Sequence, residues 1–426
     1  MPRIHSSFLA SRQDRSVAPA TVPRVTSGPV GSRHQNQDEF QARTHTPTSV
    51  RLVPTAPPLT LSAFIQANQA NWQVAARANA HGMHLVRATP EGQPLRDAFG
   101  VHAILINRHG KAFVRYEAAR SLGHGGNKNY FEAEEYPSRK KYAWAVLGDN
   151  SILNFYDQPT MTAFRRLIEN HPSFNHTGEF ALDVGHVDGV AVSIDDLYDG
   201  DALDLRVASP THVLNGAGII KLAEGVKFMH DNGFAHRDVK PDNILLENRN
   251  PVWHDYDFVD RTEPHDAMVP IRGTPGYIAP EYAIPHMAWD AVRRSTLPKS
   301  DIFSFACALL WDLDGTSAFL GYDSGKQKEN WARLQLLARG RGLLAEGQTL
   351  QVSHLTQHRE VLHQAWLDDQ TAIHQTRKPT SGDGQPYFRY RCLLWAASQP
   401  DPVNRPDSAM FLNALRFLGA AGELPA

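Results

Sequence analysis

Cysteine is nearly missing from this chain of 426 residues: only Cys307 and Cys392 occur. Two thiols exclude a disulfide framework and suit a reducing compartment. Long apolar runs are missing too. The stretch Phe303 to Trp311, broken only by Ser304, is too short to cross a bilayer, so no membrane span is expected. Neither sign of charge prevails: 43 Lys and Arg face 45 Asp and Glu, a formal net charge of -2, with no dense basic stripe. Electrostatics therefore gives no ground for a nucleic-acid partner. No internal repeat is found. Apolar residues still make up 42%, enough for the core of one large domain or of two to three small ones.

Residues 1–58 have few aromatics and are rich in Ser, Thr, Pro, Arg and Gln. Such a leader cannot bury enough apolar surface to offset chain entropy and reads as disordered. Its opening sets Arg3, Arg12 and Arg15 against one acid, Asp14. That pattern suits an organelle transit peptide, a bacterial type III secretion signal or an uninformative tail. Residues 59–114 form an N-terminal extension. Phe64, Ala67, Trp72, Val74 and Ala75 give the stretch Leu61–His81 a helical face, with Gly82 as its stop. Alternation over Val101–Ile106 and Lys111–Tyr116, around the turn Asn107–Gly110, predicts a hairpin.

The densest chemistry lies at His236-Arg237-Asp238-Val239-Lys240-Pro241-Asp242-Asn243. Transfer of a phosphoryl group needs an acceptor for a hydroxyl proton and an oxygen ligand for Mg²⁺ on one rigid loop, and this string carries both. It resembles the catalytic loop of the eukaryotic-like Ser/Thr protein kinases. Other landmarks of that family follow in order. The helical run Ile219–His230 precedes the loop and the apolar strand Ile244–Leu246 follows it. Gly273-Thr-Pro-Gly-Tyr-Ile-Ala-Pro-Glu281 resembles the substrate-docking loop, Ser300-Asp301-Ile-Phe-Ser304-Phe-Ala306 a loop-bracing helix, and Asp401-Pro-Val-Asn-Arg405-Pro406 a late structural signature.

The resemblance covers residues 115–420. It implies an α+β, two-lobed fold: a small antiparallel-sheet N-lobe to about residue 194, then a larger helical C-lobe from about 198. ATP and Mg²⁺ are the implied cofactors and a protein Ser or Thr hydroxyl the implied acceptor. Carried over residue by residue, Asp238 orients that hydroxyl, Lys240 contacts the γ-phosphate and Asn243 binds metal. Asp257-Phe258-Val259 takes the place of the family's Asp-Phe-Gly, which makes Asp257 the main metal ligand, Phe258 deciding against Asp255. Asp301 braces the catalytic loop and Glu281 pairs with Arg405. Gly123, Gly125 and Gly126 belong to a phosphate-covering flap. Ala143, Asp195, Leu197, Asp201 and Leu245 line the nucleotide: Asp195 and Leu197 through their backbone, Asp201 at the ribose, Leu245 under adenine, with Ile194 as gatekeeper.

Two positions depart from the pattern together. The third flap Gly is Lys128, and the strand lysine of the family is Ala145. Kinases named for lacking that strand lysine keep one in the flap, so the departures look compensatory. A catalytically dead relative, or an Ala145 introduced to inactivate, are the alternatives. The lysine's usual partner, a Glu on the helix over Thr160–Asn170, falls near Thr162, with Asp157 and Glu169 a turn or two away; that ion pair is absent or rebuilt. The opposing function is a pseudokinase that binds partners or nucleotide without transfer. Between Asp257 and Glu281 the only Ser or Thr residues are Thr262 and Thr274. Thr262 is the one candidate activating phosphosite, and Asp260, Glu263 and Asp266 already supply charge, so phosphorylation-independent activity is expected. His354, His358, His363 and Glu360 have no cysteine nearby and do not read as a zinc site. The leader ahead of a solitary kinase domain resembles that of effectors that pathogenic bacteria inject into host cells, which implies a host signalling protein as substrate and a monomeric enzyme.

Overall fold

The computed structural model describes residues 60–426 except 80–81, 88–92, 125–127, 148–158, 172–173, 175–182, 188–189, 210, 275, 288–290, 316–326, 382–383 and 385. The leader 1–58, Gly125, Gly126 and Asp157 lie outside the described residues.

The N-terminal half is a curled antiparallel sheet. Its strands are β1 (Met83–Arg87), β2 (Val101–Asn107), β3 (Ala112–Tyr116), β4 (Ser121–His124), β5 (Lys128–Tyr136), β6 (Lys141–Leu147), β7 (Asp183–Val187) and β8 (Val190–Asp196). They run in the order β1-β2-β3-β5-β6-β8-β7, with β4 paired to the free stretch of β5. The two end strands, β1 and β7, approach one another. Alternate side chains meet inside the curl: Leu85, Leu105, Phe113, Trp144, Val192 and Ile194 form one buried cluster. The opposite face of β2 and β3 is covered by helix α1 (Leu61–Ala78), through Ile65 and Trp72 against Ile104, Ile106 and Val114. Strand β2 is therefore buried on both faces, which explains its nearly continuous apolar run. The expected hairpin is present, its turn held by Asn107 Oδ1, which accepts from the backbone N–H of His109 (3.1 Å) and of Lys111 (2.9 Å). Strand β3 straddles the expected boundary at residue 114, so the extension and the domain share one sheet. Neither β1 nor the short helix α2 (Gln93–Phe99) was expected. The buried stripe of α1 is Ile65, Trp72 and Ala76, whereas Val74 is exposed.

Helix α3 (Pro159–Asn170) leaves the sheet and packs Met161, Phe164 and Ile168 into the C-terminal core. After β8 come the short strand β9 (Gly200–Asp201) and helix α4 (Ala202–Ala208), then α5 (Gly216–Asp231), whose first turn is capped by Asn215 accepting from Gly218 N–H at 2.8 Å. The strands β10 (Phe234–Ala235), β11 (Ile244–Glu247), β12 (Asn250–Trp253) and β13 (Asp260–Arg261) surround the catalytic-loop string. Beyond them β14 (Met268–Pro270) pairs with β15 (Ala291–Arg293), on either side of helix α6 (Ala283–Met287). The buried helix α7 (Leu297–Asp314) forms the core with α5, α11 (Phe388–Ala397) and α12 (Ser408–Ala420). A second cluster joins α6 to α8 (Gln327–Gly340), α9 (Val352–Gln357) and α10 (Arg359–Gln375). Among the described residues no helix is long and apolar enough to cross a membrane.

Candidate active site

The loop from His236 to Asn243 is fixed from beneath. Asp301, on the buried helix α7, accepts from the backbone N–H of His236 and of Arg237, each at 2.8 Å, and lies 3.0 Å from His230 Nε2. Arg237 can thereby hold a left-handed backbone (φ 69°), which few residues with a Cβ adopt. The docking loop closes on this point. A Cβ on Gly273 would stand 2.9 Å from the Arg237 carbonyl oxygen, so only glycine admits that approach.

Four functional groups then converge. The Thr274 hydroxyl donates to Asp238 Oδ1 (2.7 Å) and accepts from Lys240 Nζ (2.8 Å). Lys240 Nζ also lies 3.2 Å from Asp238 Oδ2. Asn243 Nδ2 donates to the Asp238 carbonyl (2.7 Å) and to its Oδ2 (3.1 Å). With its nitrogen so engaged, Asn243 has an amide oxygen to offer a hard cation. The docking loop is tied to the rest of the lobe by a buried fork: Arg405 Nη1 and Nη2 donate to Glu281 Oε1 and Oε2, both at 2.6 Å.

The metal side departs from expectation. The aromatic that enters the core after β12 is Tyr256, not Phe258. Its ring lies 5.2 Å from Phe164, 5.9 Å from Phe174 and 5.1 Å from His236, centroid to centroid. Phe258 is half-buried beneath the Arg272 guanidinium, 5.6 Å from its ring centre. The packing that was to select Asp257 over Asp255 is therefore made two residues earlier, at Asp255-Tyr256. Asp255 itself has a left-handed backbone (φ 59°). The residue before it is pinned to the catalytic loop, His254 N–H donating to the Asn243 carbonyl at 3.0 Å.

Lys128, first residue of β5, reaches both aspartates: its Nζ is 2.8 Å from Asp255 Oδ1 and 2.8 Å from Asp257 Oδ2. Its side chain is only 10% exposed. Burial pushes the Asp255 carboxyl up, but the Lys128 ammonium and then His254 outweigh it and hold Asp255 below the usual carboxylate range. Asn243, Asp255 and Asp257 are hard oxygen donors of the kind Mg²⁺ takes, so the residues present fit that ion. Among the described residues no cluster of three or more His, Cys, Asp or Glu could hold a metal by itself. His354 is occupied at its helix start, Nδ1 accepting from Gln351 N–H at 2.9 Å.

On the nucleotide side, register decides which way residues face. Ala143 pairs with Asp195, Ala145 with Ser193 and also with Tyr130. These residues, with Lys128, share the face opposite the curl's interior. Ile194 points into that interior, fully buried beside Trp144, and cannot be the gatekeeper; Asp195 has the outward place. Its carboxylate accepts from Ser193 Oγ at 3.0 Å and lies 3.8 Å from His254 Nε2. Gly123 is exposed with φ 145°. Leu197 and Leu245 are half-buried, and Leu245 pairs with Asp201. Asp201 caps α4, accepting from Asp204 N–H at 2.8 Å; burial, then the Asp204 and Asp242 carboxylates, push it up to about 6. On α3, Thr162 and Glu169 are both exposed.

Residues 212–363 match the model of the protein kinase domain. The chain is 25% identical over 218 residues to the ovarian-specific serine/threonine-protein kinase Lok of Drosophila melanogaster, covering 48% of this chain and 44% of that protein. It is 25% identical over 182 residues to the calcium/calmodulin-dependent protein kinase type I of Schizosaccharomyces pombe, covering 39% and 52%. To the calcium/calmodulin-dependent protein kinase type 1 of Caenorhabditis briggsae it is 39% identical over 88 residues, 19% and 24%. The chain thus spans about half the length, or less, of these curated relatives. The two-lobed fold is that of the protein kinases, and the matches support a place among the eukaryotic-like members of that family.

Proposed function

We propose that this chain is a Mg-ATP-dependent protein kinase acting on Ser or Thr hydroxyls, with Lys128 anchoring the phosphates in place of the missing lysine at Ala145. The observation that carries the transfer assignment is the closed network Asp238–Thr274–Lys240. It holds a carboxylate, a hydroxyl and an ammonium within hydrogen-bond distance in a largely buried site. Asp238 is the acceptor for the proton of an incoming hydroxyl, and Lys240 the charge that meets the transferring group. Catalysis is then positioning plus electrostatics, without a covalent enzyme intermediate.

Asn243 and Asp255 would hold Mg²⁺, Asp255 replacing Asp257 in that role because Tyr256 occupies the buried aromatic position. The ion, when bound, neutralises phosphate charge. Lys128 supports the anchoring role because it is buried on the cleft face beside Asp255, as a phosphate ligand must be. Purified full-length protein with Mg-ATP should phosphorylate itself or a generic Ser/Thr acceptor, and Asp238→Ala should abolish this while nucleotide still binds. A wild-type protein that binds Mg-ATP yet transfers nothing would establish the pseudokinase instead.

A further inference from the structure

Resting on the assignment of Lys128 as the phosphate anchor, we propose that Asp257 is the positioning residue for that lysine, replacing a carboxylate on helix α3. A buried ammonium needs a counter-charge to stay ionised and in place. Helix α3 cannot supply it: its one acidic residue, Glu169, is exposed, and so is the neutral Thr162. Lys128 instead sits between Asp255 and Asp257, 2.8 Å from each. These two carboxylates flank Tyr256, which is anchored in the core, and the Val259 N–H closes a turn onto the Tyr256 carbonyl at 3.0 Å. The turn fixes where both carboxylates stand.

The two have separable duties. Once Asp255 is committed to a cation, Asp257 still neutralises and aims the lysine. With Asp255 given to the metal, Asp257 is a second carboxylate two residues on, still 2.8 Å from the lysine. The link runs directly from strand β5 to the segment after β12, and α3 bears on it through Phe164, whose ring lies 5.2 Å from that of Tyr256.

Kinetics of the full-length protein separate this from a metal role and from a merely structural one. Asp257→Asn keeps the shape and removes the charge. It should raise KM for ATP roughly tenfold, the scale of one charge-assisted hydrogen bond, while the Mg²⁺ concentration for half-maximal rate stays within about twofold. Asp257→Glu should recover part of the loss. In a Lys128→Ala background the same Asp257→Asn change should cost nothing more, because its target is gone. A large shift in Mg²⁺ requirement, or losses that add in the double variant, would overturn the proposal. A silent Lys128→Ala would instead remove the anchoring assignment on which it rests, and with it this proposal.

Discussion

Lys128 and Ala145 are diagonal neighbours on one face of the β5–β6 pair: Lys128 opposes Leu147, and Ala145 opposes Tyr130. A lysine at either position enters the same space from adjacent strands. Lys128→Ala should therefore cut kcat/KM by roughly 100-fold or more, on the scale of losing one electrostatic stabiliser. Adding Ala145→Lys to that variant should restore part of the activity, since Ala145 is buried against Ser193 on the cleft face. If Lys128→Ala were silent and Ala145→Lys alone switched on an inert protein, Ala145 would be an inactivating residue and Lys128 a bystander.

The Glu281–Arg405 fork gives a stability prediction. The Arg405 side chain is fully buried and Glu281 nearly so, with exposures of 0% and 5%. Three further Arg405 contacts reach the carbonyls of Gln399, Pro400 and Lys299. Arg405→Ala strands a buried carboxylate and should cost about 3–5 kcal/mol. Arg405→Lys should rescue little, because an ammonium cannot reproduce the planar fork. Thermal unfolding of the three proteins checks this; a lysine variant as stable as the parent would mean that charge alone matters here.

How much of this was legible in the chain depended on where the deciding contact lies. Asp238, Lys240 and Asn243 sit in one contiguous string, and Thr274, Glu281 and Arg405 in strings nearly as specific, so the strings could be picked out in advance and Arg405 named as the partner of Glu281. Asp255 and Asp257 are each followed by an aromatic, Tyr256 and Phe258, and nothing local separates them. Which aromatic enters the core is decided by Phe164 and Phe174, far off in sequence, beside a left-handed backbone at Asp255. Ile194 was placed on the wrong face for a different reason. Strand period is two, so a one-residue error in register exchanges core for cleft. The chain also hid β1, whose five residues become a strand only by pairing with β2.

Stability should depend on pH through His374. Burial, then the nearby Arg377 and Arg405 charges, push its pKa down to about 4 from the ordinary value of 6.5. Its ring stacks on Trp395 at 5.0 Å and its Nε2 lies 3.1 Å from Ser398 Oγ. Below pH 6.5 the unfolded chain takes up a proton that the folded one refuses, so stability falls as pH drops from about 6.5 toward 4. In His374→Gln that part of the slope should vanish in urea titrations at a series of pH values. An unchanged slope would assign the acid sensitivity to other groups.

Activation is the last expectation, and it turns on Asp260. Arg237 Nη1 donates to Asp260 Oδ2 at 2.9 Å, and Arg294 Nη2 to Asp260 Oδ1 at 3.2 Å. Arg237 also donates to the Pro270 carbonyl, so one guanidinium ties the start of the segment to β14. The Arg237 side chain is only 7% exposed, and an arginine so buried requires a negative partner. Thr262 cannot provide it as a phosphoresidue without moving. It is buried, and its N–H donates to the Gly233 carbonyl at 2.8 Å. The carboxylate already present does what a phosphate would do, ordering the segment through arginine pairing. Thr262→Ala leaves the Arg237–Asp260 pair in place and should therefore retain activity within about threefold of the parent, and phosphatase treatment should leave the rate unaltered. Asp260→Asn should lower kcat/KM by roughly tenfold or more, the cost of one buried charge-assisted pair, with a matching rise in proteolysis between Asp260 and Gly273. A protein inert until Thr262 is phosphorylated, and indifferent to Asp260→Asn, would show that the carboxylate is no substitute.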